Sequence, residues 1–240
     1  MNTQNFWMFI LLAILLTACN KPAENIDNTY STAPEHAIVL FNGSDLSQWT
    51  NCDGGDVRWK VIDGVMEIVP DSTWGCERIQ GTMTKQLFRD FQLHLEFKLP
   101  IHENTNSGVY IQKRYEIQIN NSFNTDPEPG MGGSLYRQKI PDMRVGKPKG
   151  EWETYNIIFR SARFDNSDPQ KKIKNARITV IYNGVVIHNN VIIKTKTGVG
   201  DPEGNEPVPI MLQDHLAPVQ FRNIWIIPNE PVETLPPSKH

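Results

Sequence analysis

The sequence predicts an all-β fold, a two-sheet antiparallel sandwich, on three observations. Residues Phe91 to Leu99 read FQLHLEFKL, with Phe91, Leu93, Leu95, Phe97 and Leu99 on one side and Gln92, His94, Glu96 and Lys98 on the other. That period of two describes a half-buried strand. Asp63-Gly64 and Asn183-Gly184 each lie between alternating apolar runs, and both are favoured dipeptides for tight hairpin turns. No long segment carries a helical period, and about eleven candidate strands at short spacing argue for antiparallel sheets rather than βαβ units. A closed barrel is the alternative arrangement of the same strands.

Apolar alternation places the other strands at Ala37–Phe41, Val57–Ile62, Val65–Val69, Gly108–Gln112, Tyr115–Ile119, Thr154–Arg160, Arg177–Tyr182, Val185–Ile193, Pro209–Gln213 and Val219–Ile227. A short turn or helix is expected around Asn42–Leu46, capped by Ser44 or Asp45. Segments 120–133 and 198–207 are rich in Gly, Pro and Asn. Long loops at sandwich edges often carry binding groups.

The ends of the chain read differently. Phe6 to Leu16 is apolar and stops at Leu16-Thr17-Ala18-Cys19. The stretch is too short to span a bilayer and has the length of a signal-peptide core. The four residues match the bacterial lipobox, so residues 1–18 are expected to be a lipoprotein signal peptide, with Cys19 lipidated. No Lys or Arg precedes the apolar core, which leaves an ordinary secretory signal or a retained anchor as alternatives. Residues 19–35 then read as a flexible tether, 36–228 as one domain with a sizeable core, and 229–240 as a disordered tail. An acylated protein stays on a membrane without crossing it. The expected location is the cell envelope, and Asn20, where aspartate would signal inner-membrane retention, favours the outer membrane.

Formal net charge is −3, with both signs interspersed, so nothing points to nucleic acid. No Gly-rich loop leads from a strand into a helix, so nothing points to a nucleotide. Of the three cysteines, lipidation of Cys19 leaves Cys52 and Cys76. An even pair in an oxidising compartment predicts a disulfide, two buried thiols being the alternative.

Several stretches resemble one family: LFNGSDLSQW at 40–49, WKVIDGVMEI at 59–68, NSGVYIQ at 106–112, YEIQI at 115–119, GEWETYNIIF at 150–159, NGVVIHNNV at 183–191 and LQDHLAPVQFRNIWI at 212–226. In this order they are similar to the 3-keto-disaccharide hydrolase family. The resemblance implies a jelly-roll sandwich of the concanavalin A-like lectin/glucanase type, and an oligosaccharide or 3-keto-glycoside substrate. The chain departs from the family pattern at Glu153, where asparagine is common.

Glucanases of that fold class carry alternating carboxylates on one strand, because double displacement needs two of them. The comparable strand here has Glu116, but Gln118 and Asn120 are amides, which do not titrate near neutral pH. A 3-keto sugar permits another route. The ketone acidifies the C2 proton, a base removes it, and the C1 substituent leaves by β-elimination. Hydration then gives net glycoside hydrolysis. On this reading Glu116 or His215 is the base, Arg222 stabilises enolate charge, and Asp214 orients His215. Gln118, Arg114, Gln213 and Asp214 line the sugar cleft, with Trp74 as a stacking platform. Trp59, Trp152 and Trp225 read as core. Plainer readings stand beside these. Arg222 could pair with an acid across the sheet, His215 could be a loop histidine, and Asp214 could fix the turn before Ala217-Pro218. A divalent metal is a candidate cofactor, since Glu116, Asp214 and His215 are legitimate ligands, although no HExxH or EF-hand spacing occurs. Asp165 and Asp168 read as a solvated turn. The alternative function is a non-catalytic glycan-binding lipoprotein on the same sandwich.

Overall fold

The structure, a computed structural model, describes residues 32–73, 76–102 and 105–235. Cys19, the signal peptide and Trp74 lie outside the described residues. The strands are β1 (Ile38–Phe41), β2 (Trp49–Asn51), β3 (Lys60–Ile62), β4 (Val65–Glu67), β5 (Gly81–Thr84), β6 (Gln86–Leu87), β7 (Phe91–Lys98), β8 (Ser107–Ile111) and β9 (Tyr115–Ile119). They continue as β10 (Trp152–Arg160), β11 (Arg163–Phe164), β12 (Lys172–Lys174), β13 (Ala176–Tyr182), β14 (Val185–Ile193), β15 (Met211–Gln213), β16 (Gln220–Pro228) and β17 (Glu233–Thr234). Among the described residues there is no helix. At 42–48 the chain instead makes side-chain-capped turns, with Asn42 Oδ1 accepting from Ser44 N (3.0 Å) and Asp45 Oδ1 from Ser47 N (2.8 Å). These bonds compete with helical ones.

The main strands form two antiparallel sheets rather than a closed barrel, and β11–β12 and β17–β6 are separate two-stranded pairs. The larger runs β14-β13-β10-β7-β16-β4-β3, with β1 also on β16; the smaller runs β2-β5-β15-β8-β9. Every strand expected from alternation has a counterpart. Asp63 (φ 50°) with Gly64 (φ 77°), and Asn183 (φ 49°) with Gly184 (φ 82°), make the two expected hairpin turns. Their left-handed backbones match the twist of the flanking strands.

Each sheet buries one face in a shared core. β7 contributes Phe91, Leu93, Leu95 and Phe97, and β9 contributes Tyr115, Ile117 and Ile119. Full burial of such a side chain stabilises by about 1.5–3 kcal/mol. Trp59 is in this core, stacked on Phe221 at 5.8 Å. Of the other two tryptophans, only Trp152 departs from the expected burial. Trp225 is buried but on the outer face of the large sheet, stacked on His94 at 4.8 Å. Trp152 is only half-buried and lies under the Lys98 and Arg222 cations.

Two regions went beyond the alternation signal. β2 and β5 carry short polar sequences, WTN and GTMT, yet are fully inside the smaller sheet. Their threonines fit because backbone carbonyls accept their hydroxyls: Thr82 Oγ1 donates to Thr50 O (2.9 Å) and Thr84 Oγ1 to Gln86 O (2.7 Å). The expected disordered tail is held as far as Leu235. Glu233–Thr234 pairs with Gln86–Leu87, Val232 packs on the core, and Glu230 pairs with Arg163 at 3.2 Å.

Cys52 and Cys76 are disulfide-bonded, with Cα atoms 6.0 Å apart and a sequence separation of 24. The bond ties the end of β2 to the segment leading into β5. Closing a loop of this size should contribute about 2–4 kcal/mol. Urea unfolding of the Cys52→Ala/Cys76→Ala variant should show that loss, and a loss under about 0.5 kcal/mol would contradict the loop-closure argument.

Candidate functional site

The smaller sheet has a second face, and the β8–β9 hairpin supplies its chemistry. Because Tyr115, Ile117 and Ile119 face the core, Glu116 and Gln118 must face the other way. Ladder register then builds two rows across the sheet. One runs Thr50, Met83, Met211, Tyr110, Glu116. The next contains Gly81, Gln213, Gly108 and Gln118: Gly81 pairs with Gln213, and Gly108 with Gln118. Gln213 falls beside Gly108, one step beyond the Leu212–Val109 pair.

The rows differ in kind. Met83, Met211 and Tyr110 form an apolar cluster with Ile79, separate from the main core. The second row alternates glycine with glutamine, so two side chains are missing where the amides stand. Gly108 is required for a specific reason: a Cβ there would lie 2.6 Å from Glu116 Oε1. Gly81 has φ 145°, and a Cβ on it would meet Leu212 O at 2.0 Å.

Glu116 is 3% exposed, and Tyr110 Oη donates to its Oε2 at 2.8 Å. Burial pushes the carboxyl up to about 7, only partly offset by the tyrosine hydrogen bond. Desolvation disfavours the charged form, and here it outweighs one neutral donor. Burial and the neighbouring carboxylate push the Tyr110 phenol well above its usual range, so it remains a donor. Gln118 Nε2 donates to Asn106 Oδ1 (2.7 Å). The Oε1 atoms of Gln118 and Gln213 are buried without a protein partner. Unpartnered buried acceptors are costly, and two in one row suit donors brought by a ligand.

β9 is the edge strand of this sheet, and its outer backbone is covered. Glu116 N donates to Thr197 Oγ1 (2.7 Å), and Tyr136 N donates to Glu116 O (3.1 Å). The 133–136 and 197–201 segments thereby hold the strand that carries the acid.

The other expected site residues divide. Arg114 is on the hairpin but 2% exposed and caged. It donates to the carbonyls of Pro202 (2.9 Å), Gly204 (3.2 Å) and Glu206 (3.4 Å) and pairs with the Glu206 carboxylate. Its role is to hold the 202–206 loop. Asp214 follows β15 and fixes the turn there, its Oδ1 accepting from Leu216 N at 2.8 Å. Burial raises its carboxyl to about 6. His215 is exposed on that turn. Arg222 does not converge with Glu116. It lies on the outer face of the opposite sheet, with Nε 2.6 Å from Glu96 Oε2 and its guanidinium 4.0 Å from the Trp152 ring centre. Hydrogen bonds from His94, Asn223 and Arg222 hold Glu96 down to about 2 despite its burial. The cause of the miss is the parity of β16: Phe221 and Ile224 take the core side, which turns Arg222 outward.

Tyr110 was missed, although the hairpin predicts it. Strands at 107–111 and 115–119 joined by a tight turn put Tyr110 opposite Glu116. Among the described residues, no group of three or more His, Cys, Asp or Glu is arranged around a metal position. Glu153 is also buried, accepting from Tyr182 Oη (2.5 Å) and Lys147 N (2.8 Å). With Asn183, whose Nδ2 donates to Val145 O (2.7 Å), it pins the 145–147 loop.

The Glu116 shift has a signed consequence for stability. Its folded pKa, about 7, exceeds the ordinary 4.5. The folded protein therefore keeps a proton that the unfolded chain has released, and stability falls as pH rises through that window. The neutral Glu116→Gln variant lacks this loss. Its stability relative to wild type should rise by about 2–3 kcal/mol between pH 4 and pH 8, then level off. Urea unfolding across that range checks it; a difference that does not vary with pH would mean the carboxylate is not desolvated.

A family model described as a 3-keto-alpha-glucoside-1,2-lyase-like domain matches residues 36–227. A crystal structure from Parabacteroides distasonis, provisionally described as a glycosyl hydrolase, is 36% identical, covering 81% of this chain and 84% of its own, at a TM-score of 0.71. A second from the same organism, with the same description, is 20% identical over 81% and 94% of the two chains (TM-score 0.61). A third is 24% identical over 80% and 98% (TM-score 0.53). These last two speak for the fold alone. Among curated proteins, none matches the chain. From the extent of the family match and the 36% identical structure, the chain belongs to the 3-keto-alpha-glucoside-1,2-lyase-like domain family.

Proposed function

We propose that this protein is an enzyme that cleaves 3-keto-glycosides by abstracting the C2 proton and eliminating the C1 substituent. Hydration of the product completes net hydrolysis. The observation that carries the reading is a desolvated carboxyl, Glu116, held at about 7 at the end of the apolar row of the smaller sheet, beside the row that carries Gln118 and Gln213. A general base works best with its pKa near the working pH. Burial achieves this without a second acid on the strand, where Gln118 and Asn120 stand instead. Ordinary double displacement needs a carboxylate pair, whereas proton abstraction beside a ketone needs one base.

The roles follow from placement. Glu116 takes the C2 proton. Enolate charge at the C3 oxygen is met by neutral donors, the amides of Gln118 and Gln213, because Arg222 is on the other sheet and the Tyr110 proton is already given to Glu116. Preorganised neutral donors stabilise such charge well where water is excluded. The unpartnered Oε1 atoms of the two glutamines accept from sugar hydroxyls. Met83, Met211 and Tyr110 lie beneath the apolar C–H face of the ring. We further propose that lipidated Cys19 tethers this domain to the cell envelope, through residues 20–35.

Product analysis tests the chemistry. The purified protein is offered a 3-keto-glucoside and the matching ordinary glucoside in deuterated water. Cleavage of the keto sugar alone, with deuterium at C2, is expected. Cleavage of the ordinary glucoside without exchange would overturn the route. Glu116→Gln should lower kcat by about 10³-fold with KM within a few-fold, whereas a glycan-binding protein would show only a modest loss of affinity. Arg222→Ala should leave kcat/KM within about threefold, because no interaction made only in the transition state is removed. In wild type kcat/KM should rise with pH through about 7, as Glu116 loses its proton.

A further inference from the structure

A cavity of about 350 Å³ lies between the Cys52–Cys76 disulfide with the following 77–79 segment, the β8–β9 turn at Lys113, and residues 201–202. It is joined to the site through one residue. Ile79 lines the cavity and also belongs to the apolar cluster with Met83, Met211 and Tyr110. Tyr110 in turn donates to Glu116. A ligand filling the cavity therefore abuts the floor of the site.

We propose that this cavity is the subsite for the sugar on the leaving side of the scissile bond, a neutral, hydroxyl-rich ring. The proposal rests on the 3-keto-glycoside reading and names the missing half of that substrate. The lining has the required chemistry. The Cys52–Cys76 disulfide and Ile79 give an apolar wall for a ring face. Arg78 and Lys113 bring donors, and Asp201 and Glu77 bring acceptors. Two cations and two carboxylates cancel, so the cavity has no net charge with which to select an ion. A hydroxyl both donates and accepts, and can use both kinds of group. Asp201 is positioned between the cations, 3.2 Å from Lys113 Nζ and 3.9 Å from Arg78 Nη1.

The cavity is also preformed. Its Lys113 sits in the β8–β9 turn, where Gln112 (φ 54°) and Lys113 (φ 51°) are consecutive non-glycine residues in the left-handed region. That conformation is unfavourable for residues with a side chain and persists only where surroundings impose it. Here they do. Gln112 Nε2 donates to Phe88 O (2.9 Å), Asp201 N donates to Lys113 O (2.8 Å), and the caged Arg114 latches the 202–206 loop to the same turn. One strained turn thus aims Lys113 at the cavity and holds the opposite wall, Asp201, in place.

The test compares kcat/KM for a 3-keto-disaccharide and for methyl 3-keto-glucoside, which lacks the second ring. Wild type should prefer the disaccharide by about tenfold or more, since each tenfold requires only 1.4 kcal/mol of added contact. Arg78→Ala and Asp201→Ala should each pull that ratio toward one, and Arg78→Lys should restore part of it. A wild-type ratio near one, or a ratio unmoved by both alanine variants, overturns the subsite. If wild type turns over neither keto sugar, the reaction assignment fails on its own. Calorimetry with the unoxidised disaccharide then decides the cavity: binding weakened several-fold by Arg78→Ala supports it, and no binding, or binding indifferent to Arg78, rejects it.

Discussion

The structure depends on the alternation of β9. Tyr115, Ile117 and Ile119 are needed by the shared core, and a strand cannot bury them without sending Glu116 and Gln118 to the opposite face. In most antiparallel sandwiches that face is wet. Here the row that carries Glu116 is buried: Ile79, Cys52 and Leu235 pack with Met83, Met211 and Tyr110, and the 133–136 and 197–201 segments bond along the edge of the strand. A carboxylate placed by core packing is thereby stripped of water, and its proton affinity rises to meet neutral pH. The chemistry proposed for the site is a by-product of how the core is filled.

A buried cation makes that enclosure rigid. Arg114 has the parity of Glu116, and its sequence position suggested a substrate contact. The fold uses it to gather carbonyls of the 202–206 loop. An unpaired buried guanidinium would be very costly, but one satisfied by several carbonyls and a carboxylate fixes a single loop arrangement. The left-handed turn at Gln112 and Lys113 is kept by the same contacts. Strain at the turn, closure of the loop and burial of Glu116 are thus one coupled arrangement.

The outer face of the large sheet carries a second polar group. His94 accepts or donates at both ring nitrogens, to Asn156 (2.8 Å) and Asn223 (3.2 Å), and stacks on Trp225. Glu96 joins Asn223 and Arg222, and Arg222 covers Trp152. A partly exposed ion pair contributes little by itself. Packing guanidinium against indole adds a cation–π contact and covers apolar surface. This accounts for the LQDHLAPVQFRNIWI stretch, whose two halves serve different sheets. Its β15 half supplies Gln213 to the site, and its β16 half supplies Arg222 to the opposite face.

Much of this was legible before any coordinates. The two-residue period of FQLHLEFKL, the Asp63-Gly64 and Asn183-Gly184 turns and the shared face of Glu116 and Gln118 all follow from local rules, since strand pleat and turn geometry are properties of short segments; the Cys52–Cys76 pair follows from the cysteine count. Local rules did not reach β2 and β5, whose threonines are stable inside a sheet only because distant carbonyls accept them. Nor did they reach Arg222, because the face a strand shows is decided by which sheet it joins. By itself the sequence determined which residues share a strand face and where the chain turns. The tertiary structure alone decided which faces meet, which acid is cut off from water and which cation is caged. Desolvation and pairing depend on neighbours far away along the chain, and no periodicity records them.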